Sequence, residues 1–350
     1  MDFGIGLTSG VDAWKTAKRA EELGFSHVWL VDTQMLCADV FVAMALVAAH
    51  TARIRIGTGV VIPSNRIAPV TANALASCAK LAPGRIDFGV GTGFTGRNTM
   101  GLSAMRLADL REHVRVIQAL LRGETVEWEG DGRRRKIRFL NPDAGLIEIG
   151  PKIPLHLSAF GPRARALTVE VADGWMHFAG RLSAGLRDLA AIGEACRAAG
   201  RASESLYKTT FTMGCVLGND EAADSPRARA QAGPFAMTVF HSLMDGSLPM
   251  RAPGAIAADV PAYQELYDRY EPGDARYLTL HRGHFMFLRP EEERFATAAA
   301  LREMTFTATL PELRDRVRAL RDGGADQFAV FLTPRHEHAI EDWARVMEKV

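Results

Sequence analysis

Apolar and polar positions in the first third of the chain alternate between two periods. Phe3, Ile5 and Leu7 recur every second residue and predict a short strand, whereas Val11 to Leu23 read as a helix closed by Gly24. A second strand is expected over Val28 to Val31, then a helix from about Asp39 to His50, with Asp39 placed to cap it. Ile54 to Val61 predict a third strand and Ala68 to Leu81 a helix stopped by Pro83-Gly84; Ile86 to Val90 and Arg106 to Arg122 repeat the pair. The pattern resumes with strands over Ile153 to Ala159, Trp175 to Phe178 and Leu206 to Val216, and with helices over Arg163 to Ala172 and Leu182 to Ala199. Near the end, Thr309 and Glu312 flank Pro311 as a capping box for a helix reaching Gly323-Gly324. The last strand is expected at Gln327 to Leu332 and the last helix from Glu337 to Val350.

Eight strand–helix units predict an α/β fold, a closed (β/α)8 TIM barrel in preference to a doubly wound sheet. Such a barrel needs ~250 residues, so a single domain over residues 1–350 must carry insertions. Glu124 to Lys152 reads as a hairpin and loop. Residues 219–306, from Asn219 to Phe306, form a larger insertion after strand seven. Its apolar run from Phe235 to Leu243 and its aromatics (Tyr263, Tyr267, Tyr270, Phe285, Phe287) suit packed helices over the C-terminal mouth of the barrel, bringing His281 or His284 toward a ligand.

Composition narrows the function. Forty-two Lys and Arg against forty-one Asp and Glu leave a net charge of +1, so no basic field is available for nucleic acid. The longest apolar stretch, Val40 to Ala49, is about half the ~18 residues of a membrane span. Four scattered cysteines (Cys37, Cys78, Cys196, Cys215) form no CxxC pair, which fits a reducing cytoplasm and neither a disulfide framework nor a zinc site.

Gly91 to Gly96 matches GxGxxG after a predicted strand, but Arg97 to Ser103 separate it from the next helix and three βα units precede it. It reads better as a glycine-rich loop at the fourth strand's C-terminal end, where backbone can approach a flat ligand. Ser158-Ala159-Phe160-Gly161-Pro162-Arg163 joins a strand to a helix, with Pro162 suited to the first turn. It is either a phosphate site made of free N–H groups beside Arg163 or an ordinary βα turn. Asp32, Thr33 and Gln34 end strand two, where barrel catalytic groups commonly lie. His281 and His284, in Tyr277 to His284, come nearest to a ligand pair, but no carboxylate or cysteine accompanies them at a sensible spacing, and no metal is expected. His156 and His177 read as core residues, and Arg133 to Lys136 as a solvated hairpin.

The ordered motifs Glu22-Leu23-Gly24-Phe25, Trp29-Leu30-Val31-Asp32, Ile54 to Val60, Leu81 to Arg85, Gly89 to Gly93, Leu120 to Glu124, Gly161-Pro162 and Ala172 to Trp175 resemble the bacterial luciferase-like family. This family comprises flavin- and deazaflavin-dependent oxidoreductases, and the resemblance is strongest to the branch near methylenetetrahydromethanopterin reductase. It implies a cofactor ring at the barrel mouth with its phosphate near Gly161-Pro162. Expected cofactor contacts are Thr58, Gly59, Val60, Thr92, Ser158, Gly161, Pro162 and Arg163; Asp32 and His281 are the expected catalytic residues. Relatives carry a non-prolyl cis peptide that the resemblance places between Gly59 and Val60, backing the ring. They usually carry Asp-His or Glu-His where this chain has Asp32-Thr33, and the sugar dehydrogenases carry Glu at the position of Phe94. Those departures argue against the sugar-dehydrogenase branch and leave the proton-transfer residue unassigned. The leading expectation is a monooxygenase using reduced FMN and oxygen on a small organic substrate, with a separate flavin reductase as partner. The alternatives are a reductase using the deazaflavin coenzyme F420 and a non-catalytic flavin-binding protein. A homo-oligomer is expected.

Overall fold

The computed structural model describes residues 1–246 and 251–350. Eight parallel strands close into a barrel in sequence order: β1 Asp2–Leu7, β2 His27–Leu30, β3 Arg55–Thr58, β4 Ile86–Val90, β5 Leu155–Ser158, β6 Gly174–Phe178, β7 Tyr207–Thr212 and β8 Gln327–Phe331. β8 pairs with β1 through Asp2↔Gln327 to Gly6↔Phe331, which closes the ring. The barrel is the one the periodicity predicts, because each strand is followed by an amphipathic or apolar helix that packs back on the sheet.

Strand alternation sorts the side chains into two shells. Ile5, Val28, Leu30, Ile56, Phe88, Val90 and Leu157 face the helices and belong to the main core. The opposite face of the same strands fills the barrel with Trp29, Met176, Phe211, Ala329 and Phe331. These bulky rings fit because their register partners on the adjacent strands, Gly57 beside Trp29 and Gly6 beside Phe331, lack a side chain. A Cβ on Gly57 would lie 2.2 Å from the Trp29 ring, and one on Gly6 would lie 2.4 Å from Phe331. The floor is polar and internally paired: Arg55 holds Asp87 at 2.7 and 2.8 Å, His156 lies 3.4 Å from Asp87, and Trp29 Nε1 donates to Gln327 Oε1 at 2.9 Å.

Local signals act where the sequence places them. The Asp39 carboxylate accepts from the N–H groups of Phe41 and Val42 at the start of helix Val40–His50. The Thr309 N–H donates to Glu312 at 2.8 Å at the start of Leu310–Asp322. Three elements depart from expectation by three residues or more at an end. β3 stops at Thr58; the Gly59–Val60 peptide that follows is cis, and Val61 rejoins β4 only as an isolated bridge to Val90. β7 stops at Thr212, and Val216–Leu217 instead pairs in parallel with Ala308–Thr309 outside the barrel. The last helix covers only Ile340–Met347, after a 3-10 turn at Glu337–Ala339.

The segment between those two outer strands carries its own core. Helix Pro226–Asp245, capped by the Ser225 hydroxyl accepting from Ala228 N–H, packs Phe240 against Tyr263 and Phe295 with ring centres 4.6 and 5.4 Å away. Its Phe235 and the later Phe285 reach the aromatic residues at the barrel mouth. Residues 126–137 form the antiparallel hairpin read from the sequence, with Arg133 to Lys136 exposed. No described helix is long and apolar enough to cross a membrane.

Candidate active site

The C-terminal ends of the strands converge on an aromatic shelf. Phe178, the last residue of β6, has its ring centre 5.5 Å from each of Phe235, Phe285 and Phe331. Phe178, Phe235, Phe285, Val31 and Val60 are only partly buried here, which leaves apolar surface open at the mouth. Val60 follows the cis peptide that the resemblance places between Gly59 and Val60. A Cβ on Gly91 would stand 3.1 Å from Val60 Cγ2 and 3.3 Å from Ser158 Cβ, so Val60, Gly91 and Ser158 form one continuous surface.

Ser158 leads into the phosphate-type turn. Gly161 caps helix Pro162–Val171, and Arg165 N–H makes the first helical bond back to Gly161 at 2.9 Å. The N–H groups of Arg163 and Ala164 therefore precede any helical partner and carry the positive end of the helix. Trp175 Nε1 holds the turn from below by donating to Ala159 carbonyl oxygen at 2.8 Å. An open pocket of about 450 Å³ lies over the turn, walled by Thr92, Met105, Leu107 and residues 158–164. Arg163 is exposed and has no carboxylate partner among the described residues. Arg165, by contrast, is committed to Asp188 at 3.0 Å. A second hollow of about 400 Å³ lies by the hairpin, lined by Arg115, Glu112, Arg122 and Glu124, which pair with one another. It is remote from the strand ends.

Asp32 is at the mouth, but its carboxylate is fully engaged. It accepts from Arg66 at 2.9 and 3.0 Å, from Ile62 N–H at 3.1 Å and from Asn65 at 3.4 Å. Asn65 also donates to Gln34 Oε1 at 2.7 Å, and Gln34 Nε2 donates to Gly96 carbonyl oxygen at 2.8 Å. This chain of bonds ties together the loops after β2, β3 and β4. The glycine-rich loop owes Gly96 to packing, because a Cβ there would lie 2.1 Å from Ile62 Cδ1. The same loop contains a short helix, Phe94–Asn98, that the sequence reading did not anticipate. Thr58 is fully buried; its hydroxyl donates to Gly89 carbonyl oxygen at 2.6 Å and accepts from Gly89 N–H at 2.9 Å, clasping β4.

His281 is buried in the insertion, its Nε2 3.0 Å from Asp245. His284 and His241 lie beside it, and Phe285 connects them to the mouth, with its ring centre 4.8 Å from His284. His241 Nε2 lies 2.8 Å from Glu292, which also takes Arg289 and Tyr263, each at 2.6 Å. Burial pushes the Glu292 carboxyl up, but bonds from His241 and Arg289 outweigh it and bring it down to about 2. His156 faces the barrel floor. His177 turns outward to the helices, 2.8 Å from Thr210 Oγ1 and stacked on Trp175. The sequence reading missed His241, Arg66 and the Phe178 shelf, since each becomes part of the site only through contacts distant in sequence.

The glycine-lined mouth, the open N-terminus of helix Pro162–Val171 and the apolar shelf lie together at the C-terminal face of a (β/α)8 barrel, the face where enzymes of this fold class carry their sites. The chain belongs to the luciferase-like monooxygenase family, whose model matches residues 8–327. It is 32% identical over 179 residues to 5,10-methylenetetrahydromethanopterin reductase of Methanolobus tindarius, covering 50% of this chain and 53% of that protein. It is 30% identical over 241 residues to the F420-dependent hydroxymycolic acid dehydrogenase of Mycobacterium tuberculosis, covering 63% of this chain and 64% of the relative. The matched part is thus less than two thirds of either relative's length. The coenzyme F420-dependent tetrahydromethanopterin reductase of Methanopyrus kandleri has a similar structure, with a TM-score of 0.69 and 20% identity over 100% of this chain and 98% of that one.

Proposed function

We propose that the protein is an oxidoreductase that transfers hydride with a deazaflavin cofactor of the coenzyme F420 type. The observation that carries this reading is the continuity of the open Ser158–Ala164 turn with the Val60–Gly91 surface and the Phe178 shelf. It joins an anion site to an apolar bed for a flat ring. The relatives named as F420-dependent support a deazaflavin over FMN. FMN with oxygen, the first expectation from the sequence, is the second reading and is supported by the family's description as monooxygenases.

The residues fit such a cofactor. The leading N–H groups of helix Pro162–Val171 and the unpaired Arg163 would hold its phosphate. Gly91 leaves room that a side chain would fill, and Val60 would support the ring. When bound, the cofactor supplies or accepts the hydride. Phe178, Phe235 and Phe285 keep water from the reacting face, while Asp32 positions the loop bearing Ile62. Thr92 lines the anion pocket, whereas Thr58 acts through β4.

Cofactor titration tests this. Oxidised and reduced F420 and FMN are added separately to the purified protein, followed by oxygen-uptake assays with candidate substrates. F420 binding without oxygen uptake is expected, and Arg163→Ala should weaken it about fivefold, the effect of an exposed ion pair. Binding of reduced FMN alone, with oxygen consumed, establishes the second reading. Binding without turnover of any substrate indicates a carrier.

A further inference from the structure

The insertion buries three imidazoles against one another. His241 comes from helix Pro226–Asp245, while His281 and His284 follow the one-turn helix Tyr277–Leu280. One ring nitrogen from each lies within 4.8 Å of the other two. The partners fix the tautomers. His241 Nε2 faces Glu292 at 2.8 Å and His281 Nε2 faces Asp245 at 3.0 Å. A carboxylate accepts, so both rings carry their proton on Nε2 and leave Nδ1 bare. His241 Nδ1 lies 2.9 Å from His284 Nδ1, and a bond there requires the proton on His284 Nδ1. His281 Nδ1 and His284 Nε2 then remain as buried lone pairs, and neither has a hydrogen-bond partner.

We propose that His241, His281 and His284 bind one divalent transition-metal ion of the zinc class, which displaces to solvent the proton shared between His241 Nδ1 and His284 Nδ1 and so frees the His241 Nδ1 lone pair to ligate. Three imidazoles suit zinc, cobalt, nickel or copper better than magnesium or calcium. The two carboxylates behind the rings are the outer partners that orient histidine ligands and raise their basicity. The ion joins the long helix to the segment carrying Phe285, whose ring meets His284 at 4.8 Å and Phe178 at 5.5 Å. It therefore positions one wall of the mouth, and this role is independent of which cofactor binds there. In the sequence only His281 and His284 stand near each other, and the absence of a nearby third ligand hides the site.

The test uses the full chain purified without a polyhistidine tag, stripped with chelator and titrated with Zn²⁺ and with Co²⁺. One tightly bound equivalent is expected, with a visible Co²⁺ ligand-field spectrum and no near-ultraviolet thiolate band, since the four cysteines are not ligands. His281→Gln and His284→Gln should each abolish stoichiometric binding, and Asp245→Asn should weaken it by about 10- to 100-fold. His338→Ala, at the outer His336–His338 pair, should leave it unchanged. Absence of a tight equivalent in the wild-type protein overturns the proposal, as does tight binding that survives both glutamine variants. If those variants fail to fold, the wild-type Co²⁺ spectrum decides: nitrogen ligation supports the site and thiolate ligation refutes it.

Discussion

Replacing Asp32 by Ala separates a positioning role from proton transfer. The side chain is 2% exposed and neutralises Arg66, whose side chain is 15% exposed. Removing one partner of a buried ion pair costs about 3–5 kcal/mol. Arg66 retains Asp39 at 2.5 Å and some contact with water, so the lower end, about 3 kcal/mol, applies here. A chain of 350 residues unfolds with an entropy of about 0.7 kcal/mol/K, so Tm should fall by roughly 4 °C. Cofactor affinity should fall with it, because Ile62 and Asn65 lose their anchor beside the Gly59–Val60 turn. Asp32→Asn keeps an acceptor for Ile62 N–H and should lose less of both. Thermal denaturation, cofactor titration and the pH profile of kcat measure the three quantities. A positioning role for Asp32 is refuted if Asp32→Asn keeps wild-type Tm and cofactor affinity yet loses about 10²- to 10⁴-fold in kcat along with one limb of the profile. That is the signature of a lost general acid or base.

Gly57→Ala places a methyl 2.2 Å from Trp29, a ring pinned by its bond to Gln327. Overpacking of this kind costs about 1–3 kcal/mol or more, so Tm should drop by several degrees, whereas Gly10→Ala, with open space around it, should leave Tm unchanged. The His113 imidazole is pushed down to about 4 by burial, and its Nε2 has no partner. The unfolded chain takes up this proton first, so the His113 contribution to stability declines as pH falls from about 6.5 to about 4. His113→Phe should flatten the denaturant-midpoint curve across that interval, and parallel curves would disprove the assignment.

The barrel was legible because its information is local. Helix Ala68–Leu81 runs between the predicted ends, and Asp39 and the Thr309–Glu312 pair cap the helices they were expected to cap. β3 and β7 were read too long, because apolar periodicity does not register where a chain leaves the sheet. β-Branched residues continue to Val61 and Val216 while the backbone turns away at Gly59 and after Thr212. The site was less legible for a different reason. Asp32 occupies the expected position, but the cation that neutralises it is Arg66, on another loop. His241 and Glu292 are 51 residues apart in sequence and meet only through tertiary packing.

The two-stranded bridge between Val216–Leu217 and Ala308–Thr309 brings the two ends of the insertion side by side, so that the chain leaves and rejoins the barrel at one place. The insertion's stem is closed, so lengthening or shortening this branch changes the entropy of closure only logarithmically. None of the strand pairs that close the barrel passes through it. Phe235 and Phe285, however, pack from it against Phe178 at the barrel mouth. Evolution could therefore exchange the branch for another and recast the aromatic mouth, while the barrel and its Ser158–Ala164 turn stay in register. The same junction is a natural splice point for chimeras between members of the family.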